Sequence, residues 1–110
     1  MAWSVCADAK NPVSTTNVEL FSAVTGYITL IKVIRASNNG AADVNLYIKD
    51  ATTTRLTVPL PVGMTWIERV DEGGVLPASQ HTSGAAINVA ISAAGSVLVS
   101  AEGVPSYKPA

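Results

Sequence analysis

Apolar and polar positions alternate with a period of two along most of the chain. Val44, Leu46 and Ile48 alternate with Asp43, Asn45, Tyr47 and Lys49, which predicts a strand with one face on a core and the other in water. Upstream, Tyr27 to Ser37 is rich in β-branched residues, and Asn38-Asn39-Gly40 between the two runs tolerates positive φ. The two runs therefore predict a β-hairpin over 27–50 that serves as the folding unit. Its first arm does not alternate cleanly: Ile28, Leu30 and Ile34 fall on one face, and Tyr27, Ile31 and Val33 on the other. Such a strand is either covered on both faces or bulged near Lys32 so that its facing switches. If covered, its outer residues Tyr27, Ile31 and Val33 are candidates for contact with a partner chain.

The remaining segments follow the same pattern. Val18 and Leu20 set against Glu19 and Phe21 predict a short strand within 17–23, and Thr54, Leu56, Val58 and Leu60 predict another after a polar tip at Ala51-Thr52-Thr53. Pro59 and Pro61 place that strand at a sheet edge, because proline cannot donate to a ladder. A strand over 64–70 is anchored by Trp66, Asp71-Glu72-Gly73-Gly74 turns, and 78–84 is a loop. Ile87, Val89 and Ile91, the turn Ala93-Ala94-Gly95, then Val97 and Val99 predict a closing hairpin. Residues 1–16 show no period and are expected to form an extended arm, 17–104 the folded domain, and 105–110, with Pro105 and Pro109, an extended tail. No helical period occurs. The expectation is an all-β fold, an antiparallel β-sandwich of about seven or eight short strands, with jelly-roll-like or immunoglobulin-like topology left open.

Composition sharpens this picture. At 110 residues the chain is one domain with one core. Only 14% of residues are charged, against roughly 25% in an ordinary domain, while 48% are hydrophobic, so little of the surface is prepared for water. A net charge of −1, with acids and bases scattered, offers no footprint for nucleic acid or an anionic membrane, and neither is expected as a partner. The amino-terminal residues show no basic and apolar leader pattern, and no apolar run approaches the roughly 18 residues of a spanning helix, so a protein made and kept in a cytoplasm, or released from one by lysis, is expected.

Candidate chemistry is sparse. One Cys and one His make neither an internal disulfide nor a four-ligand zinc site. His81, beside Ser79, Thr82 and Ser83, has no context that assembles a nucleophile, base and oxyanion hole, and it reads as a surface loop histidine. Cys6 reads as a small buried hydrophobe, and Asp43, Asp50, Asp71 and Glu72 as solvated turn residues. Gly73-Gly74 has no following helix to make a phosphate cradle. Trp66 reads as a core anchor and Trp3 as an interface anchor on the arm, with sugar stacking the lesser alternative for both. No catalytic residue, cofactor or metal is expected. The candidate interface residues are Trp3, Tyr27, Ile31 and Val33.

The succession from Tyr27 to Ile48, then Gly73-Gly-Val-Leu-Pro-Ala, then Ile87 to Val104, resembles small β-sandwich virion proteins of tailed bacteriophages. The likeness covers about residues 17–104 and lies in strand and turn chemistry: a long apolar strand, an Asn-containing turn, a paired strand, an extended loop and a final hairpin of small residues. It implies a non-enzymatic virion protein, first of all a capsid decoration or cement protein on the outer head surface, with a neck or tail component as the alternative. A lectin-like carbohydrate-binding module is the competing class. The implied partners are the chain itself, as a trimer or other ring, and a major capsid protein or another virion protein. The arm would reach a neighbour or the shell and be removable without unfolding the sandwich.

Overall fold

A computed structural model describes residues 5–109. Its strands are β1 (Val5–Lys10), β2 (Val18–Phe21), β3 (Tyr27–Asn38), β4 (Val44–Asp50), β5 (Thr53–Leu60), β6 (Thr65–Arg69), β7 (Ile87–Ile91) and β8 (Val97–Tyr107), with one 3-10 turn over Ala78–Gln80. They form two antiparallel four-stranded sheets, ordered β1-β8-β3-β6 and β2-β7-β4-β5. The all-β sandwich expected from the alternation is present.

The pairing follows one rule. β1 pairs with β8, β2 with β7, β3 with β6 and β4 with β5. The chain is thus a long antiparallel ribbon whose tip lies between β4 and β5. Rolling that ribbon brings β8 against β3 and β7 against β4, which is the jelly-roll topology.

Two expected hairpins are replaced by sheet crossings. β3 and β4 lie in opposite sheets, as do β7 and β8, so 39–43 and 92–96 are corners that span the core rather than in-plane turns. Among the described residues the only hairpin between consecutive strands is β4–β5, at the polar tip after Asp50. A period of two states which face of a strand is buried, and it is silent on whether the next strand lies beside it or across from it. Asn38, 1% exposed, holds one corner: its Nδ2 donates to the carbonyls of Ala42 (3.0 Å) and Leu60 (2.8 Å), and its Oδ1 accepts from the Gly40 N–H (3.0 Å). Leu60 belongs to the opposite sheet, so this amide joins the two layers.

Between the layers lies one core, with Leu46, Ile48, Val89 and Ile91 from one sheet against Ile31, Ile34, Val97 and Val99 from the other. The irregular facing of β3 comes from a bulge. Lys32 and Val33 together oppose Glu102, because the register shifts between Ile31 and Val33. Ile31 and Ile34 therefore both face inward, and Ile31 has no exposed surface. Ile28, on the other face, is only 3% exposed within the single subunit, so no second chain is required to cover the amino-terminal half of β3.

The limits of the folded domain are wider than 17–104. Residues 5–10, assigned to an arm, form edge strand β1 on β8, and β8 runs on through Tyr107 into the segment expected as a tail. β1 escaped the period because Ala7 is its one fully buried residue and Ala9, at φ 51°, breaks the strand with a register shift.

Candidate interaction surface

Strand directions sort the loops into two groups. Residues 11–17, 39–43, 61–64 and 92–96 gather at one end of the sandwich, since Asn38 pairs with Val97, Ser37 with Thr65, and Val44 with Leu60. Residues 22–26, 51–52 and 70–86 gather at the other, together with the segment after β8. The two ends differ in chemistry.

The first end is almost free of charge. Beyond Lys10, the last residue of β1, its loops read Asn-Pro-Val-Ser-Thr-Thr-Asn, Asn-Gly-Ala-Ala-Asp, Pro-Val-Gly-Met and Ser-Ala-Ala-Gly-Ser, with Asp43 the only ionisable side chain. That carboxylate is engaged locally, accepting the Val62 N–H at 2.9 Å. Val13, Val62 and Met64 are exposed, and so are Ala41, Ala42, Ala93 and Ala94. Backbone bonds fix the loops to one another: Gly63 N–H to Asn38 O, Asn39 N–H to Ser96 O, and Gly95 N–H to Val13 O. Small and apolar side chains thus stand in water on a braced platform, and depletion of charge with exposed apolar surface is the composition of a contact surface.

The opposite end is polar and strapped. Residues 75–84 run beside β3 and hold the protein's only histidine. His81 is 4% exposed, so the surface position expected for it is corrected. Its Nε2 lies 3.3 Å from the Leu76 carbonyl, and burial holds the imidazole below its ordinary value, outweighing the raising effects of that bond and of the Asp50 carboxylate. Asp50, expected as a solvated turn residue, is 3% exposed. It accepts the Thr82 N–H on both oxygens (3.1 Å each) and the Thr82 hydroxyl at 2.7 Å. Lys108 donates from Nζ to the Ala78 (2.8 Å) and His81 (2.7 Å) carbonyls, and the Ser83 hydroxyl donates to the Lys108 carbonyl. These polar groups secure a loop. No nucleophile is set against the imidazole by them.

The residues proposed for an interface are not brought together. Trp3 lies outside the described residues. Ile31 is buried in the subunit's own core, because the Lys32 bulge turns it inward, and it is not available to a partner. Val33 is half-buried on the outer face of its sheet, opposite Glu102 and Arg69. Tyr27 is half-buried with its ring edge-on to Tyr107, 5.6 Å between centroids, and lines a cleft of about 400 Å³ between β1 and β2 whose floor includes Leu20 and Phe21. The charge-poor end is not legible along the chain because its parts come from four separate loops. Its one signal in the chain is that Pro61-Val62-Gly63-Met64 places apolar residues in a turn.

Cys6 is exposed on the outer face of β1, against the burial expected for it. Trp66 packs half-buried against the core, as expected of a strand aromatic. Among the described residues no group of three or more His, Cys, Asp or Glu is placed to hold a metal ion, and no helix is long and apolar enough to cross a membrane. No protein-family model matches the chain, and no curated protein matches it in sequence.

Proposed function

We propose that this chain is a non-enzymatic structural protein of a tailed-phage virion, a capsid decoration or cement protein that seats on the outer shell and associates with copies of itself. The observation that carries the reading is the charge-poor end: four loops braced on the sandwich, with Asp43 their one ionisable side chain, presenting Val13, Val62, Met64 and a set of alanines to solvent. A protein surface of matching apolar character releases water from that platform, at roughly 25 cal/mol per Å² of apolar area removed from water. A rigid platform also loses little conformational entropy on docking. The jelly roll is an architecture shared by capsid and lectin domains, and it agrees with the virion reading without selecting it.

The test is to place charge on the platform. The double variant Val62→Lys, Met64→Lys should keep the parent's circular dichroism and melt, since both side chains are exposed, and should weaken capture on undecorated heads by about tenfold or more. Capture equal to the parent's would remove this end from the contact. Labelled parent protein seen on necks or tails, with bare heads left unbound, would move the protein to the alternative station.

A further inference from the structure

We infer that residues 75–84 form an acid-releasable strap over the side of β3 that β6 leaves uncovered, with His81 as the proton-sensing group. The inference stands apart from the proposed virion role. β6 covers only Val33 to Ser37 of β3. On the same side, the amino-terminal half of β3 is met by the strap through two backbone bonds, Val75 N–H to Ile31 O (2.9 Å) and Gly84 N–H to Tyr27 O (3.1 Å). Gly73 and Gly84 bound the segment with φ of 71° and 74°. Gly74 passes so close to β3 that a Cβ there would lie 3.2 Å from the Ile31 nitrogen. Leu76, buried in the core cluster, is the plug of the strap.

Val75 packs on the core beside Leu76, and most of the polar bonds that hold the strap gather around His81 and its neighbour Thr82. The bond to Leu76 O places the proton of the neutral ring on Nε2. A second proton would put a cation into a buried site. The charged groups facing it come from three elements: Asp50 at the end of β4, Arg55 on β5, and Lys108 after β8. Asp50 would attract an imidazolium, but both its oxygens already accept from Thr82. Arg55 and Lys108 oppose it, and the Lys108 ammonium sits on the carbonyl of His81 itself. Hydration of the charged ring is reached by lifting the strap, which breaks the two bonds to β3 and leaves the backbone groups of Tyr27 to Ile31 open on that side. Burial displaces the titration below the ordinary imidazole value, so the strap stays closed at neutral pH and opens as the medium turns mildly acidic.

Amide hydrogen exchange followed by NMR on the whole protein tests this without a variant. After correction for intrinsic exchange, the opening equilibrium of the Val75 and Gly84 amides should rise by about tenfold or more between about pH 7.5 and pH 5, while core amides such as that of Val89 stay protected. The rise should share its midpoint with the His81 ring resonance. In His81→Gln, a neutral side chain that can still donate to Leu76 O, the pH dependence over this range should vanish. Strap amides whose opening is independent of pH, or whose midpoint departs from that of the ring in the parent, would overturn the inference. So would His81→Gln retaining the parent's pH profile.

Discussion

Each end of the sandwich has a buried polar clamp, and the two are chemically opposite. At the charge-poor end Asn38 ties three backbone groups with a neutral amide, joining one sheet to the other. At the strapped end Asp50 ties one loop residue with a carboxylate, next to the only imidazole in the chain. The amide spans the two layers, whereas the carboxylate holds the strap beside an imidazole whose ordinary value burial lowers. The end offered as the contact surface is thus braced across the core, with Asp43 the one ionisable side chain in its loops. The imidazole lies at the far end.

The strongest perturbation lies between the ends. Leu46→Ala, in the middle of β4 and fully buried, should destabilise the protein by about 2–5 kcal/mol and loosen both ends together in urea unfolding. A melt like the parent's would mean that the core is misplaced. Next come the clamps themselves. Asn38→Ala orphans the buried Leu60 carbonyl and should cost about 2–3 kcal/mol, and Asp50→Ala, whose partner Thr82 is exposed, about 1–2 kcal/mol. Their reach should differ: Asn38→Ala loosens both sheets, whereas Asp50→Ala raises amide exchange mainly in residues 78–84. Exchange rising equally over the whole chain in both variants would erase the distinction between the two ends.

A smaller effect follows from His81. Its folded-state pKa is below the unfolded value near 6.5, so the unfolded chain binds more protons through that interval and stability rises with pH there. Its contribution is full above about pH 6.5 and declines as the pH falls through the folded value. Chemical unfolding of the parent and of His81→Gln should agree near neutrality and diverge as the pH falls, the parent losing stability that the variant keeps. The smallest effect on stability belongs to the lysines introduced at Val62 and Met64, within about 0.5 kcal/mol of the parent, although their effect on capture is large.

Much of the fold is legible in the residues because burial leaves a mark on residue type. Val44, Leu46, Ile48, Ile87, Val89 and Ile91 alternate, and all are buried. Pro59 and Pro61 point to an edge, and β5 is one. What leaves no mark is the choice of partner, so two sheet crossings resemble hairpins. β1 is hidden because an edge strand with a bulge and two alanines has little to bury. At the ends the reasons differ. His81 and Asp50 look exposed because loops usually are, and only Val75-Leu76 beside them hints that this loop carries a plug. Removing residues 1–10 would delete β1 and strip β8 of a neighbour, so a truncation that addresses Trp3 alone has to stop before Val5.

The rolled ribbon also orders events in time. Val5 is paired with Gly103 and Val18 with Val89, residues separated by most of the chain, whereas β4 and β5 adjoin through a tight tip. Loop-closure entropy favours the β4–β5 tip as the first pairing, with the ribbon zipping outward from it and β1 docking last. β8 is the shared neighbour of β1 and β3, so β1 has no place in its sheet until β8 has docked, although β3 and β6 pair without it. Until then one edge of β3 presents unpaired backbone groups, and the partly folded chain is open there to strand addition by another copy.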